Sequence, residues 1–158
     1  MPELRHFLVA TDFSPCSEAA LREALTLAAR TGARVDVLHV WSAPYFGPGY
    51  GYDGAPVLEP AAHASLFDKI RENAVAEMQA FLARVPAPPG VALTSRIESG
   101  DPARKLLESV EAERPDLVVI GTHGRTGARR WLIGSVAERV VRHSPAPVLT
   151  VPAPADAG

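Results

Sequence analysis

The residues best suited to binding chemistry lie in the stretch GTHGRTGARRWLIGS, which combines four glycines with three arginines and follows the apolar run LVVI. Gly121 and Gly124 would let backbone N–H groups approach an anion with no Cβ in the way, and they tolerate a positive φ. Gly134 and Ser135 open a predicted helix, whose free N–H groups and positive dipole end favour phosphate. The spacing therefore suits a phosphate-binding loop.

The charge around this stretch also favours an anionic ligand, although simpler explanations exist. The chain has a net charge of -2, yet five arginines (125, 129, 130, 139 and 142) stand against one acid, Glu138, between positions 125 and 142. Arginines on a helix often form only a solvated face, and a glycine cluster after a strand is usually a turn. Ser135 and Glu138 also have the spacing of a capping box. The local residues leave a turn and a phosphate loop equally open.

Asp12 is the carboxylate that could face this loop. It follows the first predicted strand as Gly121 to Gly124 follow the fourth, so the two features meet if these strands are neighbours in a parallel sheet. Asp12 could equally end its strand or assist the cap of the next helix. His123, His39, Trp131 and Cys16 are better explained by packing or loop anchoring than by chemistry.

The usual signatures of catalysis are missing from the sequence. It contains no GxxxxGK[ST] phosphate loop, no GxSxG elbow and no Cys/His cluster with metal-ligand spacing. Asp12 has no second carboxylate near it that would complete an acid–base pair. Ligand binding is therefore better supported than turnover.

The elements that must position these residues alternate along the chain. Apolar runs predict strands at 5–11, 35–40, 91–97, 116–121 and 146–151. Helical periodicity predicts a first helix from the N-cap Ser14 to Gly32, a second at 61–85, a third after the N-cap Asp101 and a fourth at 135–143. This alternation predicts an α/β fold, a three-layer sandwich around a five-stranded parallel sheet.

Length and composition agree with one ordinary domain. The 158 residues are 47% hydrophobic and 22% charged, which excludes disordered and fibrous classes. We expect a single domain at 1–152, a long loop at 41–60 and a disordered tail at 153–158. The slightly acidic charge argues against nucleic acid, and no window approaches the roughly 20 apolar residues of a membrane span. A single cysteine excludes a disulfide framework, so we expect a cytoplasmic protein.

Taken together, these motifs resemble the universal stress protein family. Gly121, Gly124, Gly134 and Ser135 match the family's nucleotide motif G-x2-G-x9-G-[ST], and LVATDFSPCSEAAL, VLHV, SGDPARKLLE and APVLTV extend the resemblance over nearly the whole chain. The resemblance implies a five-stranded parallel sheet in the order 3-2-1-4-5, of the adenine nucleotide alpha hydrolase-like type.

The resemblance also implies a set of binding residues. Asp12 would contact ribose or phosphate, the backbone of Val40 would meet adenine, and Ala10 would line the adenine pocket where some members have proline. The phosphates would be held by the glycine loop, the basic residue that follows it and the helix start: Gly121, Gly124, Arg125, Gly134, Ser135 and the N–H of Val136.

The function implied is that of a stress-response regulator or sensor that binds ATP, AMP or another adenine nucleotide, with Mg²⁺ arriving with the nucleotide. Hydrolysis should be slow at most, because no positioned base is visible. The family commonly dimerises through the last strand, which would shelter the edge at 146–151. An interaction module of the same fold without nucleotide is the alternative. A true hydrolysing or nucleotidyl-transferring enzyme would need a further acid or lysine near Asp12.

Overall fold

The computed structural model describes residues 3–42, 60–123 and 133–154 as five strands and four helices in alternation. The strands form one parallel sheet in the order β3-β2-β1-β4-β5, which confirms the predicted fold class and strand order. In chain order the elements are β1 (His6–Thr11), α1 (Pro15–Thr31), β2 (Arg34–Trp41), α2 (Pro60–Arg84), β3 (Leu93–Ser99), α3 (Pro102–Glu113), β4 (Leu117–Gly121), α4 (Ser135–His143) and β5 (Val148–Val151).

The predicted helix boundaries of α1 and α3 are confirmed by their caps. The Ser14 side chain accepts a hydrogen bond from the backbone N–H of Ser17, and α1 ends at Gly32 with φ of 77°. A left-handed residue at this position is a common helix stop, and glycine adopts it without a Cβ penalty. The Asp101 carboxylate likewise accepts the N–H of Arg104 at 2.8 Å before α3.

Two strands begin two residues later than their apolar runs predict. Before β3, the N–H of Val91 donates to the carbonyl of Pro88, so Val91 belongs to a turn. Before β5, Ser144 and Ala146 are joined by two short-range hydrogen bonds. In both places a local turn takes the backbone groups that the ladder would have used.

The core has two parts, one on each face of the sheet. Side chains of β1 alternate between them, as a strand with both faces covered requires. Phe7 packs with α1 and α2 residues such as Leu21 and Phe81, whereas Leu8 packs with α3 and α4 residues such as Leu106 and Val140. The sheet is therefore covered by helices on both faces.

Two of the predictions fall largely on parts of the chain outside the described residues. The 41–60 loop is described only at its first two residues and its last one, and residues 155–158 of the tail are not described. Within the described part of the chain, no helix is both long and apolar enough to cross a membrane.

Candidate functional site

A pocket lies where the carboxyl ends of β1, β2 and β4 meet the starts of α1, α3 and α4. β1 and β4 are parallel neighbours, with Phe7 opposite Leu117, so the condition for Asp12 and Gly121 to converge is met. The cavity has a volume of about 240 Å³, close to the lower end of the range for small-molecule pockets.

Seven of the nine predicted site residues line this pocket. They are Ala10, Asp12, Val40, Gly121, Gly134, Ser135 and Val136. The other two, Gly124 and Arg125, lie outside the described residues, as do Arg129, Arg130 and Trp131. Residues from three strands and one helix start, far apart in the sequence, thus surround one space.

The start of α4 differs from the predicted capping box. Gly134 is the N-cap, with an extended backbone, and among the described residues no side chain makes a cap hydrogen bond there. The carbonyl of Gly134 accepts the N–H of Glu138 at 2.9 Å, so Ser135 is already the first helical residue. The carboxylate of Glu138 instead accepts a hydrogen bond from Arg142 at 2.6 Å. The capping box was therefore wrong by one position, because Gly134 and not Ser135 is the N-cap.

The two ends of the glycine stretch are held together through the backbone. The N–H of Gly134 donates to the carbonyl of Thr122 at 2.6 Å, and the N–H of Thr122 donates to the carbonyl of Val151 at 2.9 Å. Thr122 and Gly134, which lie on the two sides of the residues that are not described, are therefore in direct contact. The start of α4 lies beside the end of β4 for this reason.

Gly121 is required by the packing of α1 against β4. A Cβ at this position would lie 2.8 Å from Sγ of Cys16 and 3.0 Å from its backbone carbon, closer than atoms can pack. The φ of Gly121 is not among the positive values of the described glycines. Cys16 is buried and its thiol donates to the carbonyl of Val151 at 3.3 Å, so the packing interpretation of this cysteine is confirmed. Because Gly121 does not have a positive φ, tolerance of that conformation does not explain why glycine is required at this position.

Asp12 combines a structural contact with a place in the pocket wall. Its Oδ1 accepts the N–H of Ser14 at 3.0 Å, as expected if it assists the helix cap.

The next residue, Phe13, has φ of 65°, a conformation that is unusual for an aromatic residue and is often found beside functional sites. The ring of Phe13 lies 4.2 Å from that of His39, and Nδ1 of His39 is 2.8 Å from the carbonyl of Thr11. His39 is therefore a packed residue, as predicted.

The positive charge predicted around the loop is partly compensated. Arg139 forms an ion pair with Asp101 at 3.2 Å, joining the middle of α4 to the N-cap of α3, and Arg142 pairs with Glu138. Arg139 therefore links two helices, and Arg142 pairs within one helix.

The pocket also has an apolar wall and several polar groups that were not predicted from the sequence. The missed apolar residues are Leu38, Pro102, Leu106, Ile120 and Ala137, and the missed polar ones are Thr11, Ser17, Thr122 and His123. Nδ1 of His123 is 2.8 Å from the hydroxyl of Thr122. The apolar wall looks like ordinary core in the sequence, because the same residue types serve both purposes. Thr11 ends β1 and Thr122 directly follows β4, so both residues could have been predicted from their positions at the carboxyl ends of strands.

The family comparison agrees with this architecture. A family model described as the universal stress protein family matches residues 3–152. A universal stress protein of Methanocaldococcus jannaschii is 32% identical over 153 residues, covering 95% of this chain and 83% of that protein.

Solved structures of the same family share the fold. A protein of the universal stress protein family from Burkholderia pseudomallei is 30% identical with a TM-score of 0.64, over 97% of this chain and 99% of that one. A universal stress protein in complex with cAMP is 24% identical with a TM-score of 0.58, over 96% and 99% of the two chains. A family protein from Arabidopsis thaliana with AMP bound is 21% identical with a TM-score of 0.63, over 96% and 94%.

Proposed function

The chain belongs to the universal stress protein family, and we propose that it binds an adenine nucleotide, with ATP as the first candidate, in the pocket between β1, β4 and α4. In this proposal the protein acts as a stress-response regulator or sensor. Structures similar to it hold AMP or cAMP, which supports the choice of an adenine nucleotide.

The observation that carries the proposal is that one pocket joins an apolar wall to an uncapped helix start. Leu38, Leu106 and Ile120 offer apolar surface, which suits a flat and poorly solvated base. Val40, at the end of β2, would offer its backbone to the edge of adenine, with Ala10 beside it. Small-molecule pockets typically combine such an apolar lining with a few polar groups that fix orientation.

The phosphates would meet the start of α4. The first N–H groups of any α-helix have no partner within the helix, and α4 has no side-chain cap. The N–H of Gly134 is already donated to Thr122, so the amides of Ser135 and Val136 are the proposed donors. The hydroxyl of Ser135 would add a third donor to the same phosphate.

Asp12, Gly124 and Arg125 complete the proposed site. A carboxylate repels phosphate, so Asp12 is better suited to ribose hydroxyls or to the Mg²⁺ that would accompany ATP. Gly124 and Arg125 are assigned to the phosphates from the motif alone. Among the described lining residues Asp12 is the one carboxylate, and we therefore expect hydrolysis far slower than the 1–1000 per second of typical enzymes.

The proposal is tested by finding what the purified protein carries. The protein is denatured and the released small molecules are identified by mass spectrometry. Calorimetry with ATP, AMP and Mg²⁺ then measures binding to wild type, to Gly124→Val and to the control Ala112→Val, which changes an exposed position of α3. We expect an adenine nucleotide from wild type and from the control, and at least tenfold weaker binding for Gly124→Val because a side chain would keep phosphate from the backbone.

Two outcomes would contradict the proposal. If wild type releases no nucleotide and shows no heat with ATP and Mg²⁺, the protein is a nucleotide-free interaction module of the same fold. If ATP is turned over at rates typical of enzymes, the regulator hypothesis is wrong and the chain is a hydrolase.

We further propose that the chain forms a homodimer through its last strand. β5 is an edge strand of the sheet, and a second copy would satisfy its outer backbone groups. Thr150→Lys places a charge on this edge, whereas Thr26→Lys places one on an exposed turn of α1. Light scattering should give the mass of two chains for wild type and Thr26→Lys, and of one chain for Thr150→Lys. A wild-type mass of one chain would overturn this part.

A further inference from the structure

A second group of ligating side chains lies at the opposite, amino end of the sheet. His6 is the first residue of β1, Asp36 belongs to the start of β2 and Glu113 is the last residue of α3. Among the described residues, these three bring one imidazole nitrogen and two carboxylate oxygens within 4.8 Å of one another. We call these three residues the amino-end cluster.

The geometry points to a binding site for a divalent transition-metal ion of the zinc type in the amino-end cluster. Nε2 of His6 lies 2.6 Å from Oδ2 of Asp36 and 4.0 Å from Oε2 of Glu113. Ligands at the usual zinc distances of about 2.0–2.2 Å stand roughly 3.3 Å apart in a tetrahedron. The observed separations lie on both sides of this value, so small side-chain rotations would bring all three donors onto one ion.

The chemistry of the donors selects the class of ion. An imidazole suits zinc, copper, nickel or cobalt, whereas calcium and magnesium prefer sites made only of oxygen. Two carboxylates with a neutral imidazole carry two negative charges, which a divalent ion balances. Three protein donors would leave one tetrahedral position for water.

The surrounding residues hold two of the donors in place. The hydroxyl of Thr94 donates to Oδ1 of Asp36, which leaves Oδ2 facing His6. The backbone N–H of His6 donates to the carboxylate of Asp116 at 2.9 Å. Hydrogen bonds of this kind orient ligands in known metal sites. The side chains of His6 and Asp36 are only 6% and 13% exposed, so their positions are further restricted by packing.

Two arginines would compete with the ion. Arg34 lies 3.6 Å from Oδ2 of Asp36, and Arg96 forms an ion pair with Glu113. Arg96 also pairs with Glu98 at 3.1 Å, so it keeps a partner if Glu113 turns to a metal. Removal of Arg96 should therefore tighten metal binding, which a purely structural role for the cluster would not predict.

The test uses Co²⁺, whose visible absorption reports tetrahedral coordination, followed by displacement with Zn²⁺. We expect one Co²⁺ per chain in wild type, with the tetrahedral spectrum. Glu113→Gln and His6→Gln should weaken binding about tenfold or more and lose that spectrum, whereas Arg96→Gln should tighten it roughly threefold. The control is His143→Gln, which removes an exposed histidine of α4 and should change nothing.

Three outcomes would overturn the inference. These are the absence of a tetrahedral spectrum in wild type, a spectrum that survives Glu113→Gln, and loss of the spectrum in His143→Gln, which would show adventitious surface binding. Glu113 ends a helix and its side chain is 31% exposed, so Glu113→Gln should stay folded even if His6→Gln does not. Along β1, His6 lies about 13 Å from Ala10 in the pocket wall, so nucleotide binding can be measured separately from metal binding.

Discussion

The two ends of the sheet are built by different means. At the amino end, side chains join the elements: His6 pairs with Asp36, Arg96 pairs with Glu113, and Asp116 accepts the backbone N–H of Arg5 and of His6. At the carboxyl end, neutral hydrogen bonds join the elements beside the pocket, such as those from Gly134 to Thr122, from Thr122 to Val151 and from the thiol of Cys16 to Val151, although Arg139 also pairs with Asp101.

This difference shows how one fold can separate stability from binding. Charged side chains at the amino end stabilise each other. Desolvation raises the pKa of Asp36, but hydrogen bonds from Thr94 and His6 and the electrostatic attraction of His6 and Arg34 together lower that pKa by more, so it falls below its ordinary value. Neutral hydrogen bonds at the carboxyl end fix the strand ends, and in the proposed site the first amides of α4 would bind the ligand. Changes at the amino end should therefore affect unfolding, and changes at the carboxyl end should also affect ligand affinity.

The largest expected effect comes from breaking the buried pair at the amino end. His6→Leu leaves the carboxylate of Asp36, only 13% exposed, without its imidazole partner, and the loss of one member of such a pair costs about 3 kcal/mol. Urea denaturation without added metal measures the loss, and His143→Leu, at an exposed site, should stay within about 0.5 kcal/mol of wild type. Nucleotide affinity should not change. A comparable loss of stability in both variants, or weaker nucleotide binding by folded His6→Leu, would contradict the separation of stability at the amino end from binding at the carboxyl end.

The next effect tests the packing at the carboxyl end. Gly121→Ala would place a Cβ 2.8 Å from Sγ and 3.1 Å from the carbonyl oxygen of Cys16, and such overpacking costs about 2 kcal/mol. Because part of the clash is with backbone, adding Cys16→Ala should recover only some of the loss. Gly134→Ser is the control, since serine is as good an N-cap as glycine. If Gly121→Ala unfolds at the same urea concentration as wild type, α1 and β4 are not in the tight contact described.

The predictability of these features follows from how local their causes are. Helix starts at Ser14 and Asp101 were predicted because a cap is decided by residues within one turn. The sheet order followed from the family resemblance, and the buried run of β4 marked it as a central strand. The bounds of α4 were predicted correctly at 135–143, but its N-cap is Gly134 and not Ser135, because both residue types are good N-caps. Nothing local decides between them.

Contacts between distant segments could not be predicted in the same way. The close approach of Gly121 to Cys16 depends on the docking of α1 against β4. The amino-end cluster takes its donors from two strands and a helix, so no metal-ligand spacing appears in the sequence. In both cases the chemistry depends on the three-dimensional packing of elements that the sequence places far apart.

A smaller effect should separate ligand affinity from stability. If Ser135 contacts phosphate as proposed, Ser135→Ala removes one hydrogen bond worth about 1 kcal/mol, or roughly fivefold in affinity. Unfolding should change little, because no side chain caps α4. Ser144→Ala is the opposite control: the hydroxyl of Ser144 bonds the backbone of Ala146, so stability should fall while affinity is kept. Equal affinity for wild type and Ser135→Ala in calorimetry would remove this hydroxyl from the site.

The smallest effect concerns acid stability near the start of α1. A hydrogen bond from Arg22 lowers the pKa of Glu18, and although burial raises it, a second hydrogen bond from Arg84 keeps that pKa below its ordinary value. Folding therefore gains stability from the ionised carboxyl above the unfolded pKa, and this gain is lost as the pH falls through the folded pKa. Because the pair is partly exposed, the loss should be a few tenths of a kcal/mol.

Glu18→Gln should unfold more easily than wild type at pH 7, and the difference should shrink below about pH 4. The control Glu23→Gln, at an exposed site of the same helix, should follow wild type throughout. A difference for Glu18→Gln that stays constant down to pH 3 would mean that side-chain packing, and not charge, joins α1 to the end of α2.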